Sequence, residues 1–406
     1  MLYGIVSSFP GFLWVVGCLI NILMSKFDTT SKFSQTDKMI LLSGEVGNYI
    51  VSNGRRYSYF AGNNYLGLAG HPKIKEAVIR AVEKYGVNFA ASRHTTGTSD
   101  LHLELESALA AFKGKEDAVV FASGYQGNSI LLEILKGSYS TIFIDQSAHA
   151  SIIAAIPADV VKVMYYDHCD AGHLDYLLEY NRGSSPLIIT DGIFALTGEI
   201  APLNQIYEVA VKHGAILVVD DAHATGVLGA TGKGTPEHFG LPADGKIYQT
   251  ETMSKALGGY GGFISGSRAI TGLIRGNSAT YQASTALPPP IAAAGIASVA
   301  ILSENPSLRT SLIDKAWGIR EAVTAMDFKT TGFRTPIVPL IFDSPEKAKG
   351  LSLFLEENGV IAPFMNYPSR QAMHLVRIAV SAIHTEDQIH MLLGLLKQWK
   401  DKYESN

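Results

Sequence analysis

Cysteine is nearly absent from this chain of 406 residues, which contains only Cys18 and Cys169. Two cysteines are too few for a disulfide framework or a thiolate metal cluster, so we expect a reducing compartment. An excess of basic charge is also lacking, because 33 Lys and Arg residues stand against 37 Asp and Glu residues. The formal net charge of -4 gives no basic surface for neutralising a phosphate backbone. We therefore expect no nucleic-acid partner.

Charged residues make up only 17% of the chain, whereas hydrophobic residues make up 47%. This balance excludes a disordered chain and indicates a globular protein with a sizeable core. The length predicts about two to three domains, or one large α/β unit with a smaller partner.

The N-terminal segment 1–25 contains no charged residue, and its stretch Phe9–Met24 is nearly all apolar. A membrane-spanning helix needs about 20 apolar residues, and the run reaches that length only if Pro10, Gly11 and Asn21 are tolerated. No basic residue precedes the run and no small-residue cleavage site follows it, which disfavours a signal peptide. We predict a membrane anchor or an interfacial helix. A helix packed on a hydrophobic dimer surface and a secreted form are the alternatives.

Three lysines follow this segment, and by the positive-inside rule they favour a cytosolic placement of the rest of the chain: Lys26, Lys32 and Lys38.

Short apolar runs recur along the middle of the chain: Ala118–Ala122, Thr141–Asp145, Leu187–Thr190 and Ala215–Asp220. They predict the buried strands of a mostly parallel sheet. Amphipathic stretches lie between them, for example His102–Phe112, where leucines recur near the helical spacing. This alternation predicts an α/β fold.

After Pro288–Pro290 a helical stretch leads into a second unit, for which we predict a smaller α+β domain. Its predicted elements are the apolar runs Pro336–Phe342 and Leu375–Ala382 and the helices Pro345–Asn358 and Thr385–Tyr403. We expect four parts in the chain: the apolar segment 1–25, a part that joins the small domain at 26–60, a large domain at 61–290 and a small domain at 291–406.

Lys255 lies in Thr250–Gly262, after small polar residues and before a glycine-rich turn. A lysine in such a position can form a Schiff base with a closely bound cofactor, although the segment taken alone favours a solvated surface lysine. Asp220 and His223 follow a predicted buried strand, at the edge where open α/β sheets bind ligands. A carboxylate there can pair with a pyridine nitrogen, and a histidine can bond a phenolate oxygen.

A metal site formed by Asp220, Asp221 and His223 is the alternative for this segment. No second histidine or carboxylate cluster at ligand spacing supports it, and we predict no metal.

Two further segments stand at the same predicted edge. Phe121–Asn128 runs from a strand through Gly124 and Gly127 into a helical stretch, whose first backbone N–H groups can cradle a phosphate. Ser147–Ser151 follows the next strand and carries His149, which by itself also fits a structural histidine.

Nine segments, in order and spread over about residues 45 to 400, resemble the α-oxoamine synthases, a branch of the fold-type I pyridoxal phosphate (PLP) enzymes. They are Gly62–Leu68, Ala91–Glu106, Phe121–Asn128, Ala148–Ser151, Thr190–Leu203, Asp220–Gly229, Thr252–Gly259, Ser284–Pro289 and Arg377–Thr385. The resemblance implies a large domain with a mostly parallel seven-stranded sheet and a smaller C-terminal α+β domain. It also implies a homodimer with its sites at the subunit interface.

The family condenses an amino acid with an acyl-CoA and releases CoA and CO2, which leaves an α-amino ketone. Carried over to this sequence, the resemblance implies that Lys255 holds PLP covalently, that Asp220 pairs with the ring nitrogen and that His223 pairs with the phenolic oxygen. His149 would stack on the ring.

The remaining residues that the resemblance brings to the site fall into three groups. The phosphate end would be held by Ser123, Gly124, Tyr125, Thr252 and, from a partner subunit, Thr285. The substrate carboxylate would be bound by Asn63 and Arg377. Arg93, with Ser92 and His102, would lie in the neighbourhood of the substrate.

Two positions depart from the family pattern, because Ala195 stands where a serine is usual and Thr197 where an acidic residue is usual. The resemblance therefore implies that one hydrogen bond to the cofactor's oxygen is missing here. The segment Phe364–Met373 also departs from the proline-rich sequence expected for the family. Because this segment belongs to the substrate motif, the departure leaves the acyl-chain specificity open.

The sequence of Thr190–Gly229 is most similar to those of the branch whose members join alanine to a pimeloyl thioester. Branches that use serine with a palmitoyl thioester, or glycine with an acetyl thioester, remain open, and an apolar N-terminal segment suits a long acyl chain. Two other hypotheses stay beside the synthase: another fold-type I reaction, such as transamination or an aldolase-type cleavage, and a noncatalytic subunit.

Overall fold

The computed structural model describes residues 40–159, 162–242, 247–365 and 373–403. The chain divides into two units, Met1–Leu42 and Ser43–Asn406. In the first unit only Ile40–Leu42 are described, and they have no regular secondary structure. The predicted anchor and the three lysines after it lie outside the described residues, as does most of Phe364–Met373.

The large sheet has seven strands in the order β3-β9-β8-β7-β6-β4-β5. Its strands are parallel except β9, which runs antiparallel to both of its neighbours. The strands are β3 Asp117–Phe121, β4 Thr141–Asp145, β5 Lys162–Tyr166, β6 Pro186–Asp191, β7 Ile216–Asp220, β8 Ile247–Thr252 and β9 Gly262–Gly266.

Helices follow most of these strands and cover both faces of the sheet. They are α1 Pro72–Tyr85, α2 Asp100–Lys113, α3 Gln126–Ile134, α4 Ala150–Ala154, α5 Ala171–Glu179, α6 Leu203–His213, α7 Thr235–His238, α8 Arg268–Asn277 and α9 Ala279–Gln282.

Successive strand residues point to opposite faces, which explains why these strands are apolar throughout. In β4, Ile142 packs in a buried cluster with Leu131 of α3. The next residue, Phe143, packs in a different cluster with Leu174 of α5 and Ile206 of α6. Each such side chain that leaves water stabilises the fold by about 2 kcal/mol.

The smaller part of the fold carries two three-stranded sheets, ordered β1-β2-β11 and β10-β13-β12. The strands are β1 Tyr49–Ser52, β2 Arg55–Tyr59, β10 Ile337–Phe342, β11 Val360–Ile361, β12 Phe364–Met365 and β13 His374–Ala379. The helices are α10 Pro289–Glu304, α11 Ser307–Ala325, α12 Pro345–Glu357 and α13 Glu386–Tyr403. The N-terminal strands thus share a sheet with β11 from the C-terminal part.

The sequence-based predictions of strands and helices are confirmed with shifts of a few residues. The predicted mostly parallel sheet of seven strands and the smaller C-terminal α+β part are both present. Strands β5, β8 and β9 were not predicted from the apolar runs. Strand β8 ends with four consecutive polar residues, β9 begins and ends with glycine, and β5 begins with lysine and ends with two tyrosines. The four domain boundaries remain predictions.

Among the described residues no single helix is long and apolar enough to cross a membrane. One pair, α10 and α11, satisfies length and composition together but is bent by 78° at its break.

Candidate active site

Parallel strands deliver their last residues to one edge of the large sheet. Asp191 ends β6 and pairs in register with Asp220, which ends β7. Next to β7, β8 ends at Thr252, and the turn that follows carries Lys255. Because these ends are neighbours in the sheet, residues far apart in sequence meet at one place.

Side chains of α3 and α4 hold the Asp220 carboxylate in place. Its Oδ2 accepts hydrogen bonds from Asn128 Nδ2 at 2.7 Å and Ser151 Oγ at 3.4 Å. Its Oδ1 accepts from the backbone N–H of Ala222 at 3.1 Å. The carboxylate is therefore oriented before any ligand binds.

Lys255 is half-buried at this edge, and its removal from water lowers the pKa of its amine to about 8. Asp220 and Asp191 oppose this shift, because their negative charges favour the ammonium form, whereas the Arg377 charge adds to it. An amine with this pKa is neutral in about a tenth of the molecules at pH 7, far more than an ordinary lysine, and only the neutral amine can form a Schiff base.

His149 caps the N-terminus of α4 and faces the same edge. Its backbone N–H donates to Asp191 Oδ2 at 2.9 Å, and its Nδ1 lies 2.8 Å from Ser151 Oγ. Burial lowers the pKa of the imidazole, which keeps the ring neutral. Burial, together with the nearby Asp220 charge, raises the pKa of Asp191 well above its usual value.

His223 lies three residues beyond Asp220, and its Nδ1 is 2.7 Å from the hydroxyl of Tyr65. Burial holds the pKa of this imidazole well below its usual value, and the charges of Lys255 and Arg377 lower it further. His223 is therefore neutral.

Arg377, on β13, reaches this cavity from the smaller part of the fold. Its guanidinium donates to the carbonyl oxygens of Ala195 at 2.7 Å and Gly62 at 3.2 Å. Its Nη2 also donates to Asn63 Oδ1 at 3.0 Å and to Tyr65 Oη at 3.2 Å. The cation is held in a fixed plane, as recognition of a carboxylate requires.

The turn before α3 approaches the end of β8 very closely. A Cβ added at Gly124 would lie 2.7 Å from Thr252 Cβ, so glycine is needed there. Thr252 Oγ1 donates to the carbonyl of Gly261 at 2.9 Å and accepts from the N–H of Ser254 at 3.1 Å. Ser123 Oγ accepts from the N–H of Tyr125 at 3.3 Å.

A cavity of about 840 Å³ opens above these groups. We call Asp191, His223 and Lys255, which line it, together with the neighbouring Asp220, the floor. The side chains that line it elsewhere include an apolar set, here called the apolar wall: Ile153, Phe194, Leu196, Met365 and Met373. His149, Tyr125, Asn63, Arg377 and the two departing residues Ala195 and Thr197 line the same cavity.

The three residues of the predicted substrate neighbourhood do not line this cavity, and neither do four predicted phosphate-end residues: Ser123, Gly124, Thr252 and Thr285. Both guanidinium ends of Arg93 pair with Glu106, at 3.0 and 3.1 Å. His102 is a capping residue, with its Nδ1 accepting from the N–H of Ser99 at 3.1 Å and its Nε2 2.6 Å from the carbonyl of Leu287. Ser92 and Thr285 form an antiparallel backbone bridge with each other.

The sequence analysis assigned no role to four polar residues that the structure places around the floor: Tyr65, Asn128, Ser151 and Asp191. All four lie inside segments that carried the family resemblance. Their identity was visible, but the partners that give them a role are distant in sequence.

The chain is similar to known proteins in both sequence and structure. Residues 58–396 match the family model of aminotransferase class I and II. The chain belongs to this family.

Among curated members of the family, the chain is 38% identical to the 8-amino-7-oxononanoate synthase of Geobacter sulfurreducens over 359 residues, 87% of this chain and 92% of the relative. The resemblance to the α-oxoamine synthases is thereby confirmed.

Two solved structures of such enzymes are also similar. A serine palmitoyltransferase variant of S. paucimobilis, with PLP and myriocin bound, has a TM-score of 0.85 and 27% identity, covering 97% of this chain and 99% of that chain. The 8-amino-7-oxononanoate synthase of Francisella tularensis has a TM-score of 0.73 and 27% identity, covering 86% and 98%.

The cofactor of these enzymes is PLP, and the residues of this chain fit it. Gly124 lets the turn before α3 lie against Thr252, so the backbone N–H groups at the start of α3 and the hydroxyls of Ser123 and Thr252 could together hold a phosphate. The floor offers a half-buried lysine of low pKa, an oriented carboxylate and a neutral histidine. This is the donor set that an aldehyde, a pyridine nitrogen and a phenolic oxygen require.

Proposed function

We propose that this protein condenses an amino acid with an acyl thioester, with loss of CO2 and CoA, and that its reaction is that of an 8-amino-7-oxononanoate synthase. Lys255, His223 and Arg377 at one cavity carry the proposal, because they combine a cofactor lysine with a carboxylate-binding cation. The 38% identity to the Geobacter enzyme gives the reaction its name.

PLP, when bound, withdraws electrons and so stabilises negative charge at the amino acid's Cα. Asp220 would hold the proton of the ring nitrogen, and His223 would donate to the phenolic oxygen. His149 would cover the ring face and exclude water. Ser123, Gly124, Tyr125 and Thr252 would hold the phosphate.

Arg377 and Asn63 would bind the substrate carboxylate and so fix the amino acid. The Lys255 amine, in its neutral form, would then take the Cα proton. The apolar wall would bind the acyl chain, since hydrocarbon and thioether side chains match it in polarity. Arg377 must orient the carboxylate without binding it at full strength, because that group later leaves as CO2.

A serine palmitoyltransferase-like reaction is the second candidate, favoured by the apolar wall and by the likeness to the S. paucimobilis enzyme. Released thiol measured with glycine, alanine or serine, each paired with acetyl-, pimeloyl- or palmitoyl-CoA, separates the two. We expect alanine with pimeloyl-CoA to give the highest kcat/KM, by about tenfold or more. A preference for serine with palmitoyl-CoA would establish the second candidate. No thiol release with any pair would refute both.

We also propose a homodimer in which Thr285 of one subunit approaches the cavity of the other, and association of the segment 1–25 with membranes. Light scattering of the full chain tests the first. Sedimentation with lipid vesicles, compared with a chain beginning at residue 26, tests the second.

A further inference from the structure

Tyr65 stands between the two groups proposed to hold cofactor and substrate. Its hydroxyl lies 2.7 Å from His223 Nδ1 and accepts from Arg377 Nη2 at 3.2 Å. The same hydroxyl is 3.2 Å from Asn63 Oδ1. The side chain is 1% exposed, so water does not compete for these bonds.

The Tyr65 proton has two acceptors within reach. Burial raises the pKa of the phenol more than the Arg377 charge lowers it, so the hydroxyl keeps its proton at neutral pH. Asn63 Oδ1 already accepts from Arg377 at 3.0 Å and lies farther from the hydroxyl than His223 Nδ1 does. The shorter contact, to His223 Nδ1, is the one in which the hydroxyl would donate, in place of its 3.2 Å bond to Asn63 Oδ1.

A neutral imidazole has one nitrogen that donates and one that accepts. If Tyr65 donates to Nδ1, the proton of His223 must reside on Nε2. Nε2–H is then the group available to a phenolic oxygen in the cavity. Ala195, which also lines the cavity, has no side-chain donor.

We propose that Tyr65 is a positioning residue that fixes His223 as the Nε2–H tautomer and links it to the carboxylate-binding Arg377. The inference rests on the proposed function for the places of PLP and substrate carboxylate. The inference adds that the binding of PLP at His223 and the binding of the carboxylate at Arg377 are connected through the Tyr65 hydroxyl. A carboxylate that draws Arg377 Nη2 toward itself weakens the bond into Tyr65 and thereby the hydrogen bond to His223.

The first test is the tautomer itself. ¹⁵N spectra of the full chain labelled at histidine, with His223→Gln for assignment, distinguish protonated from unprotonated ring nitrogens. We expect an unprotonated Nδ1 and a protonated Nε2 in the parent protein. The opposite pattern would overturn the proposal, and this measurement needs no variant at Tyr65.

The second test is Tyr65→Phe, which keeps the ring and removes the hydroxyl. We expect both tautomers of His223 to be populated, the Kd of PLP to rise about tenfold and the KM of the amino acid to rise about tenfold. The matched control is Tyr59→Phe, since the titration of Tyr59 also responds to the Arg377 charge. We expect the control to stay within about twofold of the parent in each value.

An unchanged His223 spectrum in a folded Tyr65→Phe protein would also refute the positioning role. The proposed function fails separately. If no acyl thioester releases CoA while the tautomer responds as expected, the reaction is wrong and the role of Tyr65 stands.

Discussion

In the floor of the cavity, both carboxylates and the histidine are bonded to groups on neighbouring elements, whereas the apolar wall presents hydrocarbon and thioether side chains. Asp220 is held by Asn128 and Ser151, and His223 by Tyr65. The wall draws Ile153 from α4, Phe194 and Leu196 from the loop after β6, and Met365 from β12. The fixed polar groups of the floor suit the binding of one cofactor. The apolar side chains of the wall suit the selection of acyl chains by their size.

The largest effect is expected at the floor. In Lys255→Ala we expect turnover to fall at least about 10³-fold, because both the cofactor attachment and the Cα base are lost. Borohydride trapping and mass spectrometry of the peptide that contains residue 255 measure the attachment. The control Lys347→Ala, at an exposed lysine of α12, should retain both. Trapping of cofactor in Lys255→Ala would place the attachment elsewhere.

Two adjacent carboxylates allow a sharper test of the floor. In Asp220→Asn we expect kcat to fall about 10²-fold or more, because the ring nitrogen loses its charged partner. Asp221 is bonded instead to Thr235 and Gln249, at 2.6 and 2.7 Å. In Asp221→Asn we expect a loss of about 1–3 kcal/mol of unfolding free energy, with kcat of the folded enzyme little changed. Equal losses of kcat would remove the distinction between the two residues.

Arg377→Lys tests whether the smaller part of the fold, through Arg377, binds the amino acid that reacts at the floor. Lysine is a point charge without the planar fork, so we expect the KM of the amino acid to rise at least about tenfold. The KM of the acyl-CoA should change much less. Arg334→Lys, at an exposed ion pair with Asp314, is the control. A rise confined to the acyl-CoA KM would assign Arg377 to the other substrate.

The pKa of Lys255 predicts a pH dependence of cofactor capture. Below about pH 8 the amine is mostly protonated and cannot attack an aldehyde, so the capture rate should rise as pH increases. Between pH 7 and pH 9 the neutral fraction grows about tenfold, and the rate should follow it and then level off. Stopped-flow absorbance of cofactor-free protein mixed with PLP measures this. A rate that keeps rising to pH 10 would indicate an ordinary lysine pKa.

The smallest effect is expected at the apolar wall. In Leu196→Phe we expect the ratio of kcat/KM for long and short acyl-CoA to fall about fivefold, because the larger ring occupies space beside the chain. The affinity for PLP should not change. Leu353→Phe, at an exposed leucine of α12, controls for added bulk. A loss of PLP affinity in Leu196→Phe would show that floor and wall are not separate.

The sequence allowed the floor to be predicted better than its surroundings, for a physical reason. Apolar runs mark buried strands, and the residues that end them must meet at one edge, so Asp220 and His149 could be placed there. The partners of these residues lie far away along the chain. Tyr65 and His223 are 158 residues apart, and Asn63 and Arg377 are 314 apart. No local pattern reveals such pairs.

Arg93 shows that local sequence also leaves the direction of a side chain undetermined. The family resemblance implies a place near the substrate, which stays a prediction, and the structure shows the side chain paired with Glu106 within the same subunit. Local sequence does not tell on which side of a turn a side chain lies. For the same reason the antiparallel direction of β9 was not apparent.

The position of β9 also constrains how the protein is made. Within the part of the chain that the structure describes, strand β3 ends the sheet and its one strand neighbour is β9, so Asp117–Phe121 gains this partner only after more than a hundred further residues have left the ribosome. Non-local pairings of this kind slow folding and leave strand edges open to aggregation. The lysine turn lies between β8 and β9 and is closed only when this late strand inserts. Translation therefore delivers the cofactor-capturing amine after the rest of the sheet, and a nascent chain stopped before Gly262 would lack a complete sheet to hold it.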